Sequence, residues 1–71
     1  MEVSARNQLK GIVKSIETGR IMAEVVVTLS GGEEFVSVIT AASAQRLDLT
    51  VGKEVTVVVK STDVLLADAN N

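Results

Sequence analysis

A glycine pair between two β-branched segments is the feature that most restricts the fold of this chain. Gly31 and Gly32 separate Ile21–Leu29 from Glu34–Ile39. Glycine adopts the positive φ angles of tight hairpin turns without steric cost, and the flanking segments are rich in the valine and isoleucine typical of strands. The pattern predicts an antiparallel hairpin. Its first strand is expected to be covered on both faces, because Val25–Val27 is apolar at every position.

The segments on either side of this hairpin predict three more strands and one short helix. Leu9–Glu17 alternates in part between apolar and polar residues, and Gly11 within it is typical of a bulge, a sharp bend or a close backbone approach. The alanine-rich segment after Thr40 predicts a short helix with this threonine as its N-cap. Further strands are predicted at Glu54–Lys60 and Val64–Ala67. Five strands with one helix between the third and the fourth predict an all-β fold, a closed OB-type barrel.

The length of the chain limits the size of its core. With 71 residues we expect a single domain, residues 1–71, that buries little apolar surface by itself. Cysteine and histidine are absent, so disulfides and a zinc or copper site cannot stabilise it. Because 46% of the residues are hydrophobic, we expect a homo-oligomer that buries some of them between copies. The lack of a long apolar run and of a signal-peptide pattern predicts a cytoplasmic protein without a membrane partner.

The composition argues against an enzyme and against a nucleic-acid-binding protein. Without His, Cys or Tyr, acid–base catalysis would depend on scattered carboxylates and lysines, and the serines have no imidazole to activate them. One phenylalanine and a net charge of -2 provide neither a stacking platform nor a basic groove for nucleic acid. A small oxyanion needs only a few convergent N–H and O–H donors and one or two cations. Candidate groups for such a site are found at Ser4, Arg6, Ser43, Ala44, Lys60 and Ser61, although each alone is more typical of an ordinary helix, strand-end or surface position.

The N-terminal sequence Ser4-Ala5-Arg6-Asn7-Gln8-Leu9-Lys10-Gly11 resembles the signature of the molbindins, the small Mop-type molybdate-binding proteins. The similarity continues in order and spacing through Val38–Thr40, residues 41–44, Leu47–Val55 and residues 60–67. It implies a five-stranded OB-type barrel that assembles into a hexamer, a trimer of dimers. In such a hexamer, molybdate or tungstate binds as an oxyanion at subunit interfaces. The resemblance implies neither a cofactor nor a metal ion ligated by side chains. The ligand-binding residues that it implies are Ser4, Arg6, Ser43, Ala44, Lys60 and Ser61. It also implies a second kind of site on the three-fold axis, whose residues it does not assign.

The resemblance implies cytosolic binding and storage of molybdate for molybdenum homeostasis. One alternative is a molybdate-sensing or structural module that works with a transporter or regulator, and a less favoured one is an OB-type nucleic-acid-binding module. The chain contains no helix-turn-helix and no Walker motif, which favours storage. We expect Ser4–Gly11 to supply half of a site that is completed by the helix start and Lys60 of a neighbouring subunit.

Overall fold

The computed structural model describes residues 5–69, which form one curled antiparallel sheet with a short helix at one end. The four strands are β1 (Asn7–Thr18), β2 (Met22–Leu29), β3 (Glu34–Thr40) and β4 (Glu54–Val59). Helix α1 (Ala41–Arg46) connects β3 to β4, and a single 3-10 turn, η1 (Ser61–Asp63), follows β4. The predicted hairpin, the helix and the first four strands are therefore present, with boundaries that differ by at most two residues.

Strand β1 joins the two halves of the sheet, whose strand order is β3-β2-β1-β4. Its first half, Asn7–Ile12, pairs with β4, whereas Gly11–Thr18 pairs with β2. A bulge shifts the register between Val13 and Ser15, and bulges bend and twist a strand. The sheet consequently curls around its inner face.

Gly11 allows β1 and β2 to approach each other closely. A Cβ atom at this position would lie 2.5 Å from Val27 Cγ1 and 2.9 Å from the carbonyl oxygen of Thr28. Both distances are shorter than a methyl group tolerates, so only glycine fits. Of the three alternatives predicted for Gly11, the structure supports the close backbone approach, whereas the bulge lies between Val13 and Ser15.

The core lies on the inner face of the sheet. Among the described residues, Val13, Ala23, Val25, Val27 and Ala44 are buried hydrophobic residues. Partly buried side chains pack around the three valines, namely Ile16, Leu29, Ile39, Leu49, Val55 and Val57. The outer face is not covered within one chain: Val26 is half-buried, and Val36, its partner on β3, is 63% exposed. The expectation that β2 is covered on both faces is thus not met by a single copy.

The prediction of a fifth strand at Val64–Ala67 is wrong for the single chain. These residues pair with no strand, and the sheet forms a half-barrel rather than a closed five-stranded barrel. A strand needs backbone partners, and the chain leaves β4 through η1 without returning along the free edge of either β3 or β4. Leu65 and Leu66 are left 91% and 93% exposed.

The incomplete barrel exposes an unusually large surface. The accessible area is 5752 Å², whereas a compact folded monomer of 7.5 kDa exposes about 4,200 Å². The excess of roughly 1,500 Å² is large compared with the area that one partner loses in a standard protein–protein interface, about 800 Å². Within residues 5–69, no helix combines the length and the hydrophobicity that a membrane span needs.

Candidate oxyanion-binding site

Helix α1 begins where β3 ends, beside the turn between β1 and β2. The Thr40 hydroxyl oxygen accepts a hydrogen bond from the backbone N–H of Ser43 at 3.0 Å, which confirms Thr40 as the N-cap. The N–H of Ala41 donates to the carbonyl oxygen of Ile21 at 2.7 Å and so ties the helix start to that turn. The side chain of Ala44 is buried, so only its backbone could face a ligand.

The hydroxyl group of Ser43 is held by two donors. It accepts a hydrogen bond from Thr40 Oγ1 at 2.8 Å and another from Arg46 Nη2 at 2.9 Å. A serine hydroxyl has two acceptor positions and one proton. The Thr40 hydroxyl accepts from the Ser43 N–H and can still donate its own proton to Ser43 Oγ. With both acceptor positions of Ser43 occupied, its proton remains available for an acceptor outside the protein. The helix start is therefore a donor site with a cation beside it.

Arg46 is a candidate site residue that the sequence reasoning missed. It lies three residues after Ser43, and side chains at this spacing share one face of a helix. The serine–arginine spacing was the available signal, but at a helix end it is equally typical of an ordinary surface pair.

The other predicted site residues lie at the junction of β1 and β4. Asn7 pairs with Val59, so Arg6 and Lys60 follow directly from the last pair of this ladder, and Ser61 begins η1. Arg6, Lys60 and Ser61 are exposed. In the part of the chain that the structure describes, the side chains of Arg6 and Lys60 form no ion pair. Within residues 5–69, this junction therefore presents two cations without a carboxylate partner. Ser4 lies outside the described residues.

The two groups of predicted site residues lie at opposite ends of β1. The helix start is next to the Thr18 end, because Ala41 bonds to Ile21, whereas Arg6 and Lys60 are at the Asn7 end. A strand of 12 residues is about 35 Å long, close to the longest dimension of the chain, 38 Å. No small anion can bridge that distance within one copy. We expected Lys60 to lie near the helix start and away from Arg6. Within one copy this expectation is wrong, because the β1–β4 register places Lys60 beside Arg6.

The described residues offer little other chemistry. Across residues 5–69, no three His, Cys, Asp or Glu side chains are grouped so as to hold a metal ion. Lys14 and Glu34 form an exposed ion pair, and exposed pairs of this kind contribute little to stability. The arrangement therefore supports hydrogen-bond donation to an anion by the two separate groups, the helix start and the β1–β4 junction.

Comparison with protein families identifies the chain. The model of the TOBE domain matches residues 3–66, nearly the full length. The chain belongs to the TOBE domain family. This TOBE domain is 47% identical over 66 residues to molybdenum-pterin-binding protein 1 of Clostridium pasteurianum, covering 93% of this chain and 97% of that protein. The solved structure of a molybdate-binding protein from Sporomusa ovata has a TM-score of 0.90 and 40% identity to it, covering 96% of this chain and 100% of that one. The resemblance to the molbindins is confirmed.

The same TOBE domain also matches part of a longer protein. The molybdenum transport protein ModE of Azotobacter vinelandii is 47% identical over 66 residues, which is 93% of this chain but only 24% of that protein. A domain of this family thus occurs both as nearly the whole of a small protein and as a segment of a larger one.

Proposed function

We propose that this TOBE domain binds molybdate, and tungstate, at sites shared between copies of the chain. The observation that carries the proposal is the separation of the donor groups along β1, with Ser43 and Ala44 at one end and Arg6, Lys60 and Ser61 at the other. Copies arranged so that the helix start of one faces the β1–β4 junction of another would combine both groups. Ser4 is included in the proposed ligand-binding residues on the resemblance to the molbindins alone. The names of the relatives support the ligand.

The donor chemistry favours a dianion that carries no proton. Molybdate has four acceptor oxygens, and the Ser43 hydroxyl and the Arg6, Arg46 and Lys60 cations are all donors. Hydrogenphosphate would place its own O–H against these donors and lose a hydrogen bond. Sulfate carries no proton either and would be rejected by the size of the assembled cavity. Tungstate has the same shape and charge as molybdate and binds as well.

The relatives' name also mentions a pterin, which is a different ligand chemistry. A pterin is a flat aromatic ring system, and such rings bind by stacking on aromatic side chains. Phe35 is the single aromatic residue; it lines a groove with Asn7 and Val59 at the junction end, and no second ring is available to sandwich a pterin. The bare oxyanion is therefore the ligand that the site fits better.

The exposed surface supports an oligomer, and we propose a hexamer built as a trimer of dimers. The excess of roughly 1,500 Å² over a compact monomer is close to the roughly 1,600 Å² that two standard interfaces would remove from each chain. A hexamer of this kind needs two different interfaces per chain, one within the dimer and one around the three-fold axis. A second kind of anion site on that axis belongs to the same proposal.

The biological role that we propose is storage of molybdate in the cytoplasm for molybdenum homeostasis, by a binding protein rather than an enzyme. The match to part of ModE favours a second role, in which the domain senses molybdate within a larger regulator or transporter. The two roles differ in the partner of the domain and share the anion site. Nucleic-acid binding is not part of the proposal, because the chain lacks a basic groove and stacking residues.

Isothermal titration tests the ligand. We expect binding of molybdate and tungstate, and little heat with sulfate, phosphate or a free pterin. Lys60→Ala should weaken molybdate binding, whereas Lys10→Ala, which removes an exposed lysine from the middle of the β1–β4 ladder, should not. Absence of heat with molybdate at micromolar protein would refute the proposal.

A mixing experiment tests whether the site is shared. Lys60→Ala removes one group of donors and Ser43→Ala the other, so each variant alone should bind poorly. After dissociation and joint reassembly in equal amounts, about one site in four combines an intact helix start with an intact junction from different copies. Recovery of that fraction supports a shared site. If the mixture binds no better than its components, the site does not combine groups from different copies and the proposal is wrong.

A further inference from the structure

The side chain of Lys53 joins the end of helix α1 to the sheet. Its ammonium group donates to the carbonyl oxygen of Leu47 at 2.6 Å and to that of Asp48 at 3.2 Å. The last carbonyl groups of a helix have no partner within the helix, and a cation beside them also offsets the negative end of the helix dipole. Lys53 is half-buried, whereas the other three lysines of the chain are exposed. Its ammonium group is therefore engaged within the protein.

The chain leaves α1 through a motif that occupies the preceding carbonyl groups. The N–H of Asp48 donates to the Gln45 carbonyl oxygen at 3.0 Å, and the N–H of Leu49 donates to the Ala44 carbonyl oxygen at 3.1 Å. These are the two bonds of a Schellman motif, in which the residue after the cap adopts a positive φ, as Asp48 does at 54°. The two carbonyl oxygens that Lys53 binds come after those of the motif, so the lysine completes the helix end.

The backbone of Lys53 is itself fixed to the core of the sheet. Its carbonyl oxygen accepts from the N–H of Val13 at 2.9 Å, and the N–H of Gly52 donates to the Val13 carbonyl oxygen at 2.8 Å. Val13 is 1% exposed and belongs to the valine core. A further bond, from the N–H of Lys53 to the Thr50 carbonyl oxygen at 3.0 Å, closes the turn before β4. Lys53 thus connects the core, through its backbone, to the end of α1, through its side chain.

Helix α1 depends on such connections because it is short. It has six residues, and isolated helices of fewer than about 12–15 residues are marginal in water. Its one buried residue is Ala44, whose methyl group buries little apolar surface. The bond between Ala41 and Ile21 ties the start of the helix to the β1–β2 turn, and Lys53 ties its end to the sheet. The position of α1 therefore depends on bonds at its two ends.

We infer that Lys53 is a positioning residue for the anion site, because it fixes the end of α1 and so maintains the donor arrangement of Ser43 and Arg46. The inference rests on the proposed binding of molybdate and deepens it. Arg46 directly precedes Leu47, whose carbonyl group Lys53 holds. The guanidinium group of Arg46 reaches back to Ser43 Oγ at 2.9 Å. A displaced helix end would move this guanidinium group and release the hydroxyl group that it holds.

Titration of Lys53→Met with molybdate tests the inference. Methionine keeps an unbranched apolar side chain but cannot donate a hydrogen bond. We expect the affinity to fall about 2- to 30-fold, the range for residues that affect a site without touching its ligand. Lys53→Arg can still donate to both carbonyl oxygens and should recover most of the affinity. Lys10→Met removes the same charge from an exposed position and should bind as the unsubstituted protein does.

High salt separates positioning from a direct effect of the lysine charge. In 1 M NaCl, charges are screened beyond about 3 Å, so a purely electrostatic contribution of Lys53 to anion binding disappears. We expect the ratio of the affinities of the unsubstituted protein and Lys53→Met to remain the same. A ratio that falls to one in high salt would overturn the inference.

A double-mutant cycle shows whether Lys53 acts through the helix start. In the Ser43→Ala background, Lys53→Met should cause a smaller further loss of affinity, because the hydroxyl group that it positions is absent. In the Lys60→Ala background, where the substitution lies at the other end of β1, Lys53→Met should cause its full loss. Equal further losses in the two backgrounds would contradict the inference.

Amide hydrogen exchange of the ligand-free protein gives a readout that does not need molybdate. In Lys53→Met, the amide groups of residues 43–48 should exchange faster, while those of β2 and β3 keep their rates. Faster exchange throughout the sheet would indicate a general loss of stability and would overturn the inference. Absence of molybdate binding by the unsubstituted protein would refute the proposed function together with the inference, whereas an unchanged affinity of Lys53→Met would overturn the inference alone.

Discussion

Replacement of Gly11 by alanine should destabilise the fold by an amount that follows from its surroundings. The added methyl carbon would lie 2.5 Å from Val27 Cγ1, 2.9 Å from the Thr28 carbonyl oxygen and 3.1 Å from Leu29 Cδ2. Two of these atoms belong to the packed core or to the backbone of β2 and cannot rotate away. Overpacking of this kind costs about 1–3 kcal/mol, while the loss of glycine freedom in the unfolded chain returns about 0.4–1 kcal/mol. We therefore expect a net loss of about 1–2 kcal/mol.

Gly31→Ala is the matched control for this prediction. Its methyl carbon would also meet an atom at 2.5 Å, but that atom is the carboxylate oxygen of Glu33, the far end of an exposed and flexible side chain. The carboxylate can rotate away, so we expect a change of at most about 0.5 kcal/mol, as for other surface substitutions.

Urea unfolding at one fixed protein concentration measures both variants. A small domain has a total stability of only about 4–10 kcal/mol, so a loss of 1–2 kcal/mol is easily detected as a lower midpoint. The concentration must be fixed because oligomerisation adds to the apparent stability. Equal stability of Gly11→Ala and Gly31→Ala would show that β1 and β2 are not held as closely as the structure indicates, and the reasoning would be refuted.

Three further predictions concern the donor groups. Thr40→Ala should cost about 1 kcal/mol of stability through the lost N-cap and should also weaken molybdate binding, while Thr40→Ser restores both; denaturation and titration measure the two effects. Arg46→Ala should weaken molybdate binding by about 1.5–3 kcal/mol if the charge of Arg46 acts on the anion, and Arg46→Lys should recover part of the loss. An unchanged affinity of Arg46→Ala would exclude Arg46 from the site. Lys60→Ala should lower the affinity by a similar 1.5–3 kcal/mol in titration, and an unchanged affinity would exclude Lys60.

The strands and the helix could be predicted because their signals are local. The Gly31–Gly32 turn, the β-branched segments beside it and the alanine-rich segment after Thr40 each determine structure over a few neighbouring residues. The close approach at Gly11 could be predicted too, because a glycine weakens a strand interior and is typically found there at bulges, bends and close backbone contacts.

The features that the sequence did not reveal depend on contacts between distant parts of the chain. The position of Lys60 beside Arg6 follows from the pairing of Asn7 with Val59, and no local pattern specifies the register of strands so far apart. The apolar run at Val64–Ala67 predicted a strand that the single chain does not form, because composition does not say which backbone such a segment would pair with. The bonds to the Ser43 hydroxyl depend on side-chain rotamers, which sequence does not specify.

The pairing of Asn7 with Val59 has a further consequence for the architecture of larger proteins. It brings the beginning and the end of the sheet side by side, so the segment before β1 and the segment after β4 begin at nearly the same point. A domain with this property can be inserted into, appended to or repeated within another polypeptide through short connections that do not disturb its strands. The occurrence of a matching segment in a protein about four times as long follows naturally from this geometry. The β1–β4 pairing that places Arg6 and Lys60 side by side thus also allows the domain to be joined to other polypeptides.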